Sequence, residues 1–234
     1  MLKKQYFCIK FVRIMDLKVI AYARNGHSDK FGIPRQSRDE SPIVTRIVFE
    51  PEYRIHEALR GIEGYSHLWL IWGFSEVDSW SPTVRPPRLG GNTRMGVFAT
   101  RSPFRPNPLG LSSVRLLGVE NGDLIVSGAD LLDGTPIYDI KPYLSFSDSH
   151  EDAQNGFAAA TEDYHLTISN YQSQMTNIPE DVLRDIAYIL SQDPRPAYQN
   201  DPDREYKLDY AGYTVSFSVN MQTVEVKKIE KSQK

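Results

Sequence analysis

Between Ser79 and Val119 the chain carries six arginines (Arg85, Arg88, Arg94, Arg101, Arg105 and Arg115) and not one aspartate or glutamate. Prolines flank several of them in "TVRPPRLGG" and "SPFRPNPLG". A proline ring fixes its own backbone angle, so guanidinium groups beside it are partly pre-positioned, and neighbouring glycines let the main chain approach a ligand closely. Fixed guanidinium groups without compensating acids suit planar, bidentate recognition of phosphate or carboxylate. The stretch therefore predicts an anionic ligand, nucleic acid foremost, over a merely solvated loop.

A second cluster lies in "DLLDGTPIYDIKPYL", where Asp130, Asp133, Asp139, Lys141 and Tyr143 gather acids, a cation and a phenol. Asp133-Gly134-Thr135-Pro136 is a turn by composition, and a turn leading into a strand is a common way to hold side chains over a pocket. The third is the irregular "KFGIPRQS", with Phe31, Pro34, Arg35 and Gln36. His67 heads the apolar run "SHLWLIW" and by itself reads as a satisfied strand-end histidine. Five scattered histidines and one cysteine, Cys8, form no metal-ligand spacing, so no metal is expected. No GxSxG elbow or Walker loop is present, which argues against a serine hydrolase and against a P-loop phosphate site.

These residues need a scaffold, and the apolar runs supply one. "LKVIAYA", "IVTRIVF", "SHLWLIWGF", "RMGVFAT", "SSVRLLGVE" and "DLIVSGADLL" are short, β-rich and closely spaced, with Asn121-Gly122-Asp123 as a hairpin signal. So little room remains for crossover helices that the pattern predicts a mainly β fold, an antiparallel sheet or barrel. A short helix is expected over Tyr53 to Arg60, with Ile55 and Leu59 on one face and Gly61 as its stop. Past Phe146 the polar "SDSHEDAQNGFAAATEDYH" reads as a linker into a small α+β unit. There "IPEDVLRDIAYILSQ" predicts a helix with Pro179 at its first position and Val182, Ile186, Ile189 and Leu190 on one face. It is expected to end before Pro194. A terminal hairpin, "AGYTVSFSVN" and "QTVEVKKIE", follows, with a frayed tail from Lys227.

The chain has 234 residues, a net charge of -3, 40% hydrophobic and 11% aromatic residues. That is enough for a substantial core, and the negative balance argues against coating nucleic acid through bulk charge. One cysteine and no long apolar stretch predict a cytoplasmic protein that does not span a membrane. The basic-apolar start is interrupted by Lys10, Arg13 and Asp16, against a signal peptide.

Taken together and in this order, "KFGIPRQ", "LRGIEGYSHLWLIW", "RPPRLGGNTRMGVFATRSPFRPNPLGLS", "DLLDGTPIYDIKPYL" and "QDPRPAY" resemble the TrmO (TsaA-like) family. The likeness covers about Val19 to Tyr198 and leaves residues 1–14 outside as a possible extension, with Met15 an alternative start. The resemblance implies a tRNA methyltransferase acting on N6 of threonylcarbamoyladenosine beside the anticodon, using S-adenosylmethionine. It further implies a homodimer built on an antiparallel β-barrel, residues 15–157, with a small C-terminal domain, residues 158–234. By the same likeness Pro34, Arg35, Gln36, His67, Leu68, Arg94, Asp133, Gly134, Thr135 and Pro136 surround the cofactor. Catalytic roles then fall to Asp133, Asp139, Lys141 and Tyr143, with a carboxylate of that cluster or a backbone carbonyl holding the amine proton. Arg85, Arg88, Arg101, Arg105 and Asn107 face the tRNA. The alternative is a barrel that binds S-adenosylmethionine and tRNA without catalysis.

Overall fold

A computed structural model describes residues 16–34, 36–89, 91–161, 164–169, 178–195 and 201–232. In chain order the strands are β1 (Ala21–Arg24), β2 (Val44–Phe49), β3 (His67–Gly73), β4 (Thr83–Val84), β5 (Met95–Gly96), β6 (Leu109–Glu120), β7 (Asp123–Ser127), β8 (Pro136–Pro142), β9 (Thr167–Ser169), β10 (Tyr206–Tyr210), β11 (Tyr213–Asn220) and β12 (Thr223–Lys231). Two helices, α1 (Ser145–Asp148) and α2 (Glu180–Ser191), and several single 3-10 turns accompany them. The fold is mainly β.

Six strands close into a barrel in the order β1-β2-β7-β6-β3-β8, with every neighbouring pair antiparallel. The period of two decides what faces inward. Ala21, Ala23, Ile47, Phe49, Leu68, Leu70, Trp72, Val114, Leu124, Val126 and Ile137 fill the interior. The alternate residues of β3, His67, Trp69 and Ile71, are half-buried on the outside. The β6–β7 hairpin turns at Asn121 and Gly122, both with positive φ (53° and 81°), the twist-matched geometry that an Asn-Gly pair favours. The ribbon β4–β5 lies in the arginine-rich stretch, outside the barrel.

The second sheet runs β10-β11-β12-β9, with only the β12–β9 pair parallel. Helix α2 buries Leu183, Ile186, Ile189 and Leu190, the last three in a core with Leu208, Val215, Phe217, Val219 and Val224. Ile43 belongs to the same core and Phe31 packs on it, although both come from the connection between β1 and β2.

Four expectations are corrected. Tyr53 to Arg60 is not an α-helix: a 3-10 turn covers His56–Leu59, Ile55 is exposed, and Gly61 sits at φ 85° before a second turn at Ile62–Gly64. Two apolar residues make too narrow a stripe to stabilise so short a helix against its nucleation cost. "RMGVFAT" yields only the two residues of β5 and a 3-10 turn, Val97–Ala99. Pro179 caps α2 from outside rather than occupying its first position. The tail is not frayed as far as Lys231, which pairs with Tyr213. The expected extension over 1–14 lies outside the described residues.

Candidate functional site

A cavity of about 650 Å³ opens at one end of the barrel. That size suits a small-molecule ligand. Four pieces of chain converge on it. The β1–β2 connection brings Lys30, Ile33, Pro34 and Gln36; β3 and its continuation bring Trp69, Trp72, Phe74 and Glu76; the arginine-rich loop brings Thr100, Arg101, Phe104 and Arg105; and the β7–β8 connection brings Asp130, Leu132 and Thr135. Gly110 at the start of β6 completes the wall, and a Cβ there would lie 2.2 Å from the Trp72 ring, so the tryptophan occupies that place because residue 110 is glycine.

A polar chain runs through this wall. The Trp72 indole donates from Nε1 to Ser112 Oγ at 2.9 Å, and the Ser112 hydroxyl donates to Asp130 Oδ1 at 2.5 Å. Burial pushes the Asp130 carboxyl above the usual carboxylate range, against the hydrogen bond from Ser112 and the charge of Arg101. Arg101 donates from Nη1 to Gln36 Oε1, joining two walls. Arg105 donates from Nη1 to the carbonyl oxygens of Val97 (3.1 Å) and Thr100 (2.8 Å) and lies over the Phe98 ring, 5.6 Å from its centroid. At the rim, Glu76 pairs with Lys30 at 3.2 Å. Aromatic faces, a carboxylate and a guanidinium together complement a ligand with a flat ring, a cationic centre and an anionic group.

The Asp133 turn is set by hydrogen bonds from two directions. Asp133 N donates to His27 O (2.9 Å), Gly134 N to Ala23 O (2.8 Å) and Thr135 Oγ1 to Leu132 O (2.8 Å). The Asp133 carboxylate accepts from Asn25 N at 3.1 Å and pairs with Arg24 at 3.5 Å. Asn25 ties the same region from within, its Nδ2 donating to Leu131 O (2.9 Å) and Thr45 Oγ1 (3.2 Å). Gly134 adopts φ 80°, a backbone conformation that favours glycine.

A separate cluster occupies the outer face of the barrel on β3, β6 and β8. His67 Nε2 meets Asp39 Oδ1 at 2.9 Å and its Nδ1 meets Ser66 Oγ at 2.9 Å. Arg115 grips the same carboxylate through Nε (2.8 Å) and Nη2. The Arg115 hydrogen bond, followed by that of His67, holds the Asp39 carboxyl below the usual range. The Tyr143 ring lies 6.1 Å from His67 and 5.3 Å from Trp69, whose Nε1 donates to Asp148 at 2.8 Å. Lys141 pairs with Asp139 at 2.8 Å. Trp69 belongs to both places, since it also lines the cavity.

The structure thus brings Pro34, Gln36, Arg101, Arg105 and Thr135 together at one cavity, and leaves two pairs outside it, His67 with Tyr143 and Asp139 with Lys141. Asp133, Gly134 and Pro136 flank Thr135 at the start of β8. The Leu68 side chain is inside the barrel with no exposed surface. Arg85, Arg94 and Asn107 are exposed on the loop and are not among the cavity's lining residues. Arg35 and the side chain of Arg88 lie outside the described residues. Reasoning from types and spacing passed over Trp69, Trp72, Phe74, Ser112 and Asp39. A signal for Ser112 was present: in "LSSVRL" it shares the inward parity of Val114, and a serine at a core position needs a partner. Among the described residues no three His, Cys, Asp or Glu side chains converge to hold a metal ion, and no helix is long and apolar enough to cross a membrane.

Residues 22–149 match the family model of the tRNA-methyltransferase O N-terminal domain, and residues 162–232 that of the TrmO C-terminal domain. An Escherichia coli protein named tRNA (adenine(37)-N6)-methyltransferase is 38% identical over 218 residues, 88% of this chain and 92% of its own. A Pseudomonas aeruginosa protein, whose name places it among S-adenosylmethionine-dependent methyltransferases, is 43% identical over 196 residues, 80% of this chain and 85% of its own. A crystal structure of TrmO from Pseudomonas aeruginosa superposes with a TM-score of 0.77 at 32% identity, covering 95% of this chain and 100% of that one.

Proposed function

The chain belongs to the TrmO family of tRNA methyltransferases, and from that premise we propose that it methylates N6 of adenosine 37 in tRNA, acting on the threonylcarbamoyl-modified base, with S-adenosylmethionine as donor. The observation that carries this reading is the cavity itself. There the family-matched Pro34, Gln36 and Thr135 meet Arg101 from the acid-free loop and the Asp130 carboxylate. Its lining fits S-adenosylmethionine: the aromatic faces of Trp72 and Phe74 suit an adenine ring, and the rim carboxylate of Glu76 suits cationic groups. When bound, that cofactor supplies an electrophilic methyl group on sulfur.

The chain's own residues then have to bind, orient and exclude water. Pro34, Gln36 and Thr135 line the cavity, and by family likeness His67, Leu68, Arg94, Asp133, Gly134 and Pro136 belong to the cofactor's surroundings, with the Asp133 turn fixed by the contacts from Arg24, Asn25 and His27. Alignment of two reactants is worth roughly 7–11 kcal/mol in favourable intramolecular cases, so a rigid wall is a large part of catalysis. Arg101 is positioned for the threonyl carboxylate or an adjacent phosphate, and Arg85, Arg88, Arg105 and Asn107 belong to the tRNA-facing loop. This reading includes a homodimer acting on tRNA in the cytoplasm and a unit boundary near 157. Tyr143, on the outer face, would act through His67 and Trp69, which its ring meets, while Asp139 and Lys141 form a separate pair on that face.

Transfer of labelled methyl groups to tRNA with and without the threonylcarbamoyl group tests it. Transfer to modified tRNA alone is expected. Equal rates on both would remove the carboxylate-recognition role, and binding of both ligands without transfer would favour the non-catalytic barrel.

A further inference from the structure

We infer that Asp130 is the group that takes the N6 proton of the acceptor adenine, an inference that rests on the methyltransferase reading and gives a role to a side chain outside the family-matched cofactor set. The acceptor chemistry calls for such a group. In threonylcarbamoyladenosine the N6 lone pair is delocalised into both the purine and the carbamoyl carbonyl, so the nitrogen is a poor nucleophile until its N–H bond is polarised. As that bond breaks, its electron pair stays on N6. N6 then forms the bond to the methyl carbon, the carbon–sulfur bond of the donor breaks with its pair going to sulfur, and the proton ends on the carboxylate.

The cavity holds two carboxylates among its described lining residues. Glu76, at the rim, is 55% exposed and paired with Lys30. Asp130 is set deeper, its Oδ1 fixed by Ser112, which is in turn fixed by the Trp72 indole. That two-step chain fixes the orientation of a carboxylate that lines the cavity. The other acids of the motif are held elsewhere, Asp133 by Asn25 N and Arg24, and Asp139 by Ile140 N and Lys141. Burial raises the proton affinity of Asp130, which makes it a better base than an exposed aspartate. Arg101 acts in the opposite sense, and among the described residues Arg105, Lys30 and Glu76 are the other charged groups that line the cavity.

The test is the isosteric Asp130→Asn with Ser112→Ala beside it. In Asp130→Asn, kcat should fall about 100- to 10,000-fold while the dissociation constants for S-adenosylmethionine and modified tRNA stay within about threefold. The acid limb of the pH profile should vanish with it. Ser112→Ala removes a hydrogen bond to the ionised form, so its acid limb should move to higher pH. Independently of turnover, the Asp130 carboxyl carbon-13 signal, followed in the complex with S-adenosylhomocysteine, should shift when modified tRNA is added. A kcat within threefold of wild type in Asp130→Asn, an unmoved limb in Ser112→Ala, or an unmoved carboxyl signal would each overturn the assignment. Should Asp130→Asn not fold, the serine variant and the carboxyl signal decide. If the wild-type protein transfers no methyl group at all, the methyltransferase reading falls and the assignment with it; transfer by wild type with no loss in the variants defeats the assignment alone.

Discussion

Arg105 donates to the carbonyl oxygens of Val97 and Thr100 within its own loop, whereas Arg101 crosses the cavity to Gln36. The two therefore differ in what their loss would do. Arg105→Ala takes the guanidinium donor from Thr100 O, while Val97 O keeps those of Thr100 N and Oγ1, and should lower stability by roughly 1–3 kcal/mol, measurable by denaturant unfolding. Arg101→Ala should leave stability nearly unchanged but weaken tRNA binding; if its partner is a phosphate, the dependence of log affinity on log salt should flatten by about 1, and if it is the threonyl carboxylate, the loss should appear only with modified tRNA. Counting arginines and missing acids singled out the stretch that brings Arg101 and Arg105 to the cavity. It could not tell Arg101 from Arg105, because which guanidinium meets a carbonyl depends on the path of the folded loop. Asp39, remote in sequence from His67 and Arg115, was illegible for the same reason.

At the scale of elements, the connection between β1 and β2 lies between two cores. Pro34 and Gln36 line the cavity, while Phe31 and Ile43 pack with α2 and the second sheet. Ala211 N donates to Gly26 O at 2.9 Å, and a Cβ on Gly32 (φ 104°) would lie 2.1 Å from Leu208 Cδ1. The C-terminal sheet thus buttresses one wall of the cavity. Leu208 is 1% exposed, so Leu208→Ala should cost about 2–5 kcal/mol. It should also weaken S-adenosylmethionine binding, read by calorimetry below the melting temperature; unchanged donor affinity in a destabilised protein would show the buttress to be structural only. Helix α2 and the terminal hairpin were legible because each keeps one hydrophobic period over many residues. The 3-10 turns at Ile55 to Gly64 were not, since Leu59 and Ile62 gain their burial from the barrel they rest on.

At the scale of the whole molecule, His27 joins the barrel to the second sheet. It is 1% exposed, its ring meets Tyr210 edge-on at 5.1 Å, and burial lowers its pKa to about 4. An unfolded chain binds the proton at about pH 6.5, so between pH 6.5 and 4 the unfolded state holds more protons than the native one. Stability is therefore complete above pH 6.5 and should decline by about 3 kcal/mol as pH falls to 4. Asp130, with a raised pKa, acts with the opposite sign, so the His27 share is the difference between wild type and His27→Gln in unfolding measured from pH 7 to 4.5. A slope identical in both proteins would show that His27 does not carry it.

By itself the sequence determined the mainly β class, helix α2, the terminal hairpin and the stretches that converge on the cavity. Each of these is written locally, in a period of two or 3.6, a turn dipeptide or a charge imbalance, and local signals survive without knowledge of the fold. Only the tertiary structure decided that the barrel closes β8 onto β1 and that Trp72, Ser112 and Asp130 form one chain. It alone set Asp139 and Lys141 on the outer face rather than over the cavity. These depend on strand register and on contacts between residues far apart in sequence, where a shift of one residue turns a side chain from the interior to the outside.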